Sequence, residues 1–181
     1  MDNTNNAETI ILCDADDFCE GNDGMDVLNR IKEKNKDFKI TLFTIVGRCS
    51  KEWIEKMKKI DWVDMIPHGW LHPDPREAQN WTYNESIEYL DRIESFGLTR
   101  GFKAPGWQIS DGMYKALLER GYWVADQRYN DTRRPKGLKV FYPTNEHFHI
   151  GHLGGHNQNE IGYFEEYLSN LKGDFKLIKD L

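Results

Sequence analysis

Long apolar runs are missing from this chain. No stretch approaches the roughly 20 consecutive apolar residues of a membrane-spanning helix, and the opening "MDNTNNAETI" has neither the basic start nor the apolar segment of a secretory signal. Cysteine is scarce as well. Cys13, Cys19 and Cys49 are odd in number and form no CxxC pair, which excludes an even disulfide framework and a zinc knuckle and favours a reducing, cytoplasmic setting. Dense Lys/Arg blocks are absent and the formal net charge is -6, so the clustered cations that nucleic acid or an anionic membrane surface requires are not there. Neither nucleotide-binding signature occurs: "GNDG" lacks the GxGxxG spacing, and there is no Walker lysine.

What is present reads as one globular domain over residues 1–181, with 1–7 as a flexible tail. Hydrophobic residues make up 39% and charged residues 30%, while an aromatic share of 13% points to a site walled with rings. Strand-like and helix-like segments alternate. "TIILC" (9–13), "FKITLFTIV" (38–46) and "WVDMI" (62–66) have the apolar, β-branched character of buried strands. Between them, "GMDVLNRIKEK" (24–34) puts Met25, Leu28 and Ile31 on one helical face, and "SKEWIEKMKKI" (50–60) begins with Ser50 as an N-cap. The pattern continues through a helix at 84–96 closed by Gly97, a short strand in "GFKAPGW" (101–107), a capped helix at 110–121, and strands at 122–126, near "LKVFY" and at "EHFHIGH" (146–152). A helix at 161–171 and a last strand in "FKLIK" complete it. Strands linked by helical crossovers imply a parallel sheet, and the expected architecture is α/β, a distorted or incomplete (β/α) barrel with about seven parallel strands.

Chemistry in such a barrel belongs on the loops at the strands' C-terminal ends. The unusual polar clusters sit there: Asp14, Asp16 and Asp17 after the first strand, His68 and His72 after the third, Lys103 to Trp107 after the fourth, Asp126 after the fifth, and His149 to His156 near the last. One carboxylate and two imidazoles meeting on that rim give a divalent metal three ligands and leave a position open for water, the pattern of a catalytic site. A neighbouring carboxylate can then serve as base, and a further histidine can protonate a leaving nitrogen. "HGWLH" lacks the glutamate of the zinc-protease HExxH.

In order along the chain, "ILCDADDF", "HGWLH", "FKAPGW", "ADQR" and "IGH" or "LGGH" resemble the five motifs of the polysaccharide deacetylases, the chitooligosaccharide-deacetylase type of carbohydrate esterase. The resemblance runs from about residue 9 to residue 156. It implies a distorted (β/α) barrel and a metal-dependent hydrolase that removes an acetyl group from an N-acetylated sugar or related amide. Carried over by position, Asp17, His68 and His72 are the metal ligands, Asp16 the general base, Lys103 the residue orienting that base and Asp126 a tuning charge. His152 or His156 is the general acid, the Leu-x-x-His spacing favouring His156 and the strand end His152, and Trp107 takes the place of an aromatic wall; Trp70 and Pro105, in the same rim segments, are further substrate-binding candidates. Zinc is the default metal, with cobalt, nickel or manganese as alternatives. The substrate is a small molecule or oligosaccharide bearing N-acetyl groups.

Three positions depart from the family pattern: Phe18 replaces a glycine, Gly69 a loop-steadying Ser/Thr, and Lys103 a bidentate arginine. A metal- and carbohydrate-binding protein without turnover is therefore the alternative, and a non-haem iron oxygenase ranks below it for want of an HxD motif. Asp14 reads as a turn cap. His147 and His149 share the face opposite Phe148 and Ile150 and read as surface or packing residues, while Trp53, Trp62 and Trp123 read as core.

Overall fold

The computed structural model describes residues 9–73, 76–126, 128–142, 145–151 and 160–181. The expected tail at 1–7 lies outside them. Among the described residues, eight strands and five α-helices follow one another in the order β1 (Ile10–Phe18), α1 (Met25–Lys34), β2 (Ile40–Thr44), α2 (Lys51–Met57), β3 (Val63–Pro67), α3 (Tyr83–Glu94), β4 (Gly101–Lys103), α4 (Asp111–Glu119), β5 (Trp123–Ala125), β6 (Val140–Phe141), β7 (Glu146–His149), α5 (Glu165–Asn170) and β8 (Asp174–Lys176). Pairing between these strands is parallel throughout, as crossover helices require. One ladder runs β3-β2-β1-β7, with β8 also on β1, and a second runs β4-β5-β6. A barrel wall made of two arcs matches the distorted α/β barrel expected from the alternation.

Strand parity sorts the core into two clusters. Cys13, Ala15, Leu42, Met65, Phe102, Val124 and Phe148 belong to a large cluster with Leu28, Ile31, Ile54, Leu90, Met113 and Leu117 of the helices. Phe43 and Ile66 of the first arc meet Ala125 of the second and Ile178 in a smaller cluster, which ties the two arcs together. The helices start where side chains satisfy their free N–H groups. Ser50 Oγ accepts from Trp53 N, Ser110 Oγ accepts from Met113 N, and Thr82 with Glu85 forms a reciprocal capping box that starts α3 one residue ahead of the expected Asn84. No helix among the described residues is long and apolar enough to cross a membrane.

One element is longer than its apolar run. β1 continues past Cys13 to Phe18, because Asp14 and Asp16 project to the face opposite Cys13 and Ala15, and there they meet partners from β4 and β7. Phe18, where the family has glycine, is fully buried with its ring 5.1 Å from that of Trp53.

Candidate metal centre

Consecutive residues of a strand point to opposite faces, so Asp16 and Asp17 should diverge. They do not, because the β1–β2 register slips between Ala15 and Phe18 and Asp17 sits at φ 66, a bulge that swings its carboxylate toward the same mouth. Asp17, His72 (φ 51) and Trp107 (φ 59) are the non-glycine residues with positive φ among the described residues. Each lies at this rim, and such backbone costs about 1 kcal/mol or more, so the surrounding structure must hold it.

Asp17, His68 and His72 bring one ligand atom apiece within 4.8 Å of one another. His72 Nε2 lies 3.8 Å from Asp17 Oδ1, and the His68 and His72 rings are 5.0 Å apart. His68 is buried, and its Nδ1–H donates to the Lys103 carbonyl at 3.0 Å, which leaves Nε2 with its lone pair for a metal. Burial, assisted by the neighbouring His72, pushes His68 down to about 3, so the ring is neutral at pH 7, the form that binds metal. For Asp17, burial pushes the pKa up, but the hydrogen bond from His149 and the imidazoles of His68 and His72 outweigh it and hold the carboxyl below its ordinary value. An anionic carboxylate and a neutral, oriented imidazole fit a divalent cation with a position left for water.

A second group stands beside the first. Asp16, His147 and His149 also bring ligand atoms within 4.8 Å, because β7 pairs with β1 in the register Asp14 to His147 and Asp16 to His149. Here a cation is already in place. Lys103 Nζ forms an ion pair with Asp16 Oδ2, with only 1% of the lysine side chain exposed. Burial lowers Lys103 to about 7 against the opposing pull of Asp14. The ammonium also lies 4.1 Å from the centre of the Trp107 ring and 5.1 Å from that of Phe43. His147 Nδ1 contacts Asp14 Oδ1, its Nε2 lies 3.8 Å from Asp16 Oδ2, and burial lowers its pKa despite Asp14. His149 Nδ1 lies 3.1 Å from Asp17 Oδ2 and so joins the two groups.

The remaining expected residues divide. Pro105 is buried under the Gly69 turn, and the Trp107 ring stands 5.8 Å from that of His147, both at the mouth. Trp70 turns away: the Arg92 guanidinium stacks 4.7 Å from its ring centre and Gly47 packs against it. Asp126 is buried, but its partners among the described residues are Tyr114 at 2.6 Å, Arg128 and Arg134. Burial pushes its pKa up while the Arg128 and Tyr114 hydrogen bonds pull it below its ordinary value. His152 and His156 lie outside the described residues. Asp14 is no turn cap, since it lies within β1 and contacts His147, and the polar face of β7 lies half-buried at the barrel mouth, where His147 and His149 meet Asp14, Asp16 and Asp17. A period-two reading of "CDADD" would have put Asp14 with Asp16. Glu77 was not singled out by any motif.

No protein-family model matches the chain, and neither does any curated protein. Solved structures do. A family 4 acetyl xylan esterase from Clostridium thermocellum, in complex with a cobalt ion, is 12% identical with a TM-score of 0.60, covering 95% of this chain and 89% of that one. The chitin deacetylase of Colletotrichum lindemuthianum is 14% identical with a TM-score of 0.59, covering 97% and 88%. A family 4 carbohydrate esterase from Streptomyces lividans, in complex with acetate, is 14% identical with a TM-score of 0.56, covering 88% of each chain. The fold is thus the polysaccharide-deacetylase-type distorted barrel of the family 4 carbohydrate esterases.

Proposed function

We propose that this protein is a metal-dependent hydrolase that removes an acetyl group from an N-acetylated sugar or related amide. The observation that carries the reading is the Asp17–His68–His72 donor group set directly beside the buried Asp16–Lys103 pair. A divalent cation held by the first three residues, zinc by default, supplies Lewis acidity toward an acyl oxygen and a water. Asp16 takes the proton from the attacking water, and Lys103 keeps that carboxylate anionic and aimed. The departing nitrogen needs a proton in return. The motif resemblance offers His152 and His156, while His147, resting on Asp14 with Nε2 3.8 Å from Asp16, is a described imidazole beside the base. Trp107 and Pro105 wall the mouth, and Trp70 backs the ligand loop. The matched esterase solved with cobalt and the matched chitin deacetylase support this chemistry and a carbohydrate substrate.

The test is acetate release from N-acetylglucosamine oligomers by protein of measured metal content. About one metal per chain with acetate released is the expected result. Metal bound without release across acylated sugars would favour the alternative, a metal- and carbohydrate-binding protein that does not turn over. Failure to bind any divalent metal would sink both. Alanine at His147, His152 and His156 in turn identifies the acid by the largest loss of kcat at unchanged metal content.

A further inference from the structure

The loop between the two candidate histidine ligands has no hydroxyl side chain to brace it, yet its backbone is bound on both sides. Trp70 N and His72 N each donate to Glu77 Oε2 at 3.0 Å, and Leu71 N donates to Glu77 Oε1 at 3.0 Å. One carboxylate therefore gathers three consecutive N–H groups. The carbonyls facing the other way are held too: Gly69 O accepts from Tyr89 Oη at 3.0 Å, Trp70 O from Gly47 N at 2.7 Å and Leu71 O from Arg48 Nε at 2.7 Å. Glu77 is itself placed by its neighbour Ala78, which is fully buried and accepts from Ser110 N at 3.1 Å.

This clamp explains a backbone oddity and a sequence oddity together. His72 carries φ 51, a conformation a non-glycine residue holds only under constraint, and its own N–H is one of the three on Glu77. Gly69 has φ 68, and a Cβ there would lie 2.2 Å from Glu77 Oε2 and 2.8 Å from Pro105 Cγ. A Ser/Thr side chain and the Glu77 carboxylate cannot share that space. We propose that Glu77 is the positioning residue of the metal-ligand loop, holding His72 toward Asp17 through three backbone N–H groups and fixing glycine at position 69. The metal part rests on the reading of Asp17, His68 and His72 as ligands. The clamp itself does not.

The test uses the full chain, read by cobalt(II) affinity in competition with a chromogenic chelator and by urea unfolding of the metal-free protein. Outer partners that orient metal ligands are typically worth 10–100-fold in affinity, so Glu77→Ala weakens cobalt binding by about that factor. Glu77→Gln, the same shape with one acceptor oxygen instead of two, falls between Ala and wild type. A merely structural Glu77 would lower metal-free stability while the folded fraction bound cobalt as wild type does, and that result overturns the positioning role.

A stability cycle tests the glycine. Gly69→Ala loses more in the wild-type background than in Glu77→Ala, and additive losses overturn the mutual exclusion. Should wild type bind no cobalt, the metal reading fails separately. Amide exchange at Trp70, Leu71 and His72, slow in wild type and fast in Glu77→Ala, still decides the clamp, and equal exchange in both sinks it.

Discussion

Two groups of one aspartate and two histidines stand side by side at the barrel mouth, Asp17 with His68 and His72, and Asp16 with His147 and His149. Residue types do not separate them; the neighbours do. Asp16 is ion-paired with the buried Lys103, whereas the recorded partners of Asp17 are imidazoles. Below about pH 7, where Lys103 keeps its proton, a divalent ion about 4 Å from it meets roughly 8 kcal/mol of repulsion at an effective dielectric near 20. On the proposed reading the first group takes the metal and the second the proton transfer.

The largest expected effect breaks the comparison at the adjacent aspartates. Asp17→Ala removes the anionic ligand and abolishes metal binding at micromolar metal, measured by equilibrium dialysis. Asp16→Asn keeps about one metal per chain and loses about 10²–10⁴-fold in kcat, the usual worth of a general base. Should both substitutions cost metal equally, the two groups are not distinct.

Lys103→Met tests the cause of the difference. Removing one partner of a buried ion pair leaves an uncompensated charge, and the expected loss is about 3–5 kcal/mol in urea unfolding without metal. The substitution also clears the second group of its cation. Excess cobalt should then bind in a second equivalent and restore part of the stability, and a stoichiometry unchanged from wild type would show that Lys103 is not what keeps a metal out.

Acid provides a gentler probe of the first group. The folded-state value of His68 is depressed by burial from 6.5 to about 3. As pH falls below 6.5 the unfolded chain takes up a proton that the native protein refuses until about 3. The contribution is therefore complete above 6.5 and is lost going down, by about 1.4 kcal/mol for each pH unit in that window. Stability curves of metal-free wild type and His68→Gln between pH 7 and pH 4 measure it. The wild-type curve should fall more steeply, and parallel curves would mean that His68 titrates normally.

How much of this was legible beforehand differs residue by residue. The alternation of apolar runs and helix caps gave the parallel barrel, because local periodicity reports local structure. Asp16, Asp17, His68 and His72 stood out as clusters at strand ends and Lys103 through its place in the resembling motif, and the fold brings these side chains to one rim. Asp14, His147 and His149 were misread although the alternation of His147 and His149 with Phe148 and Ile150 was seen. Periodicity says which residues share a face but not whether the face looks to solvent or into a barrel, and that is settled only by β7 joining β1. Glu77 was illegible for another reason. Its partners are backbone N–H groups, which every sequence has and no motif records.

The smallest effect concerns the roof over the second group. Trp107, held at φ 59, lays its ring 4.1 Å from Lys103 Nζ, and a desolvated cation–π contact of this kind is worth about 1–2 kcal/mol. Trp107→Leu keeps an apolar cover but removes the π face, so the ammonium loses an attraction that stabilises its charged form. The consequence should fall on the Asp16 side alone: stability drops by that amount while cobalt affinity at Asp17, His68 and His72 stays within about twofold, since a change of 0.4 kcal/mol is about that factor. A matching fall in cobalt affinity would mean that the two groups are mechanically one, and the division of labour between them would have to be abandoned.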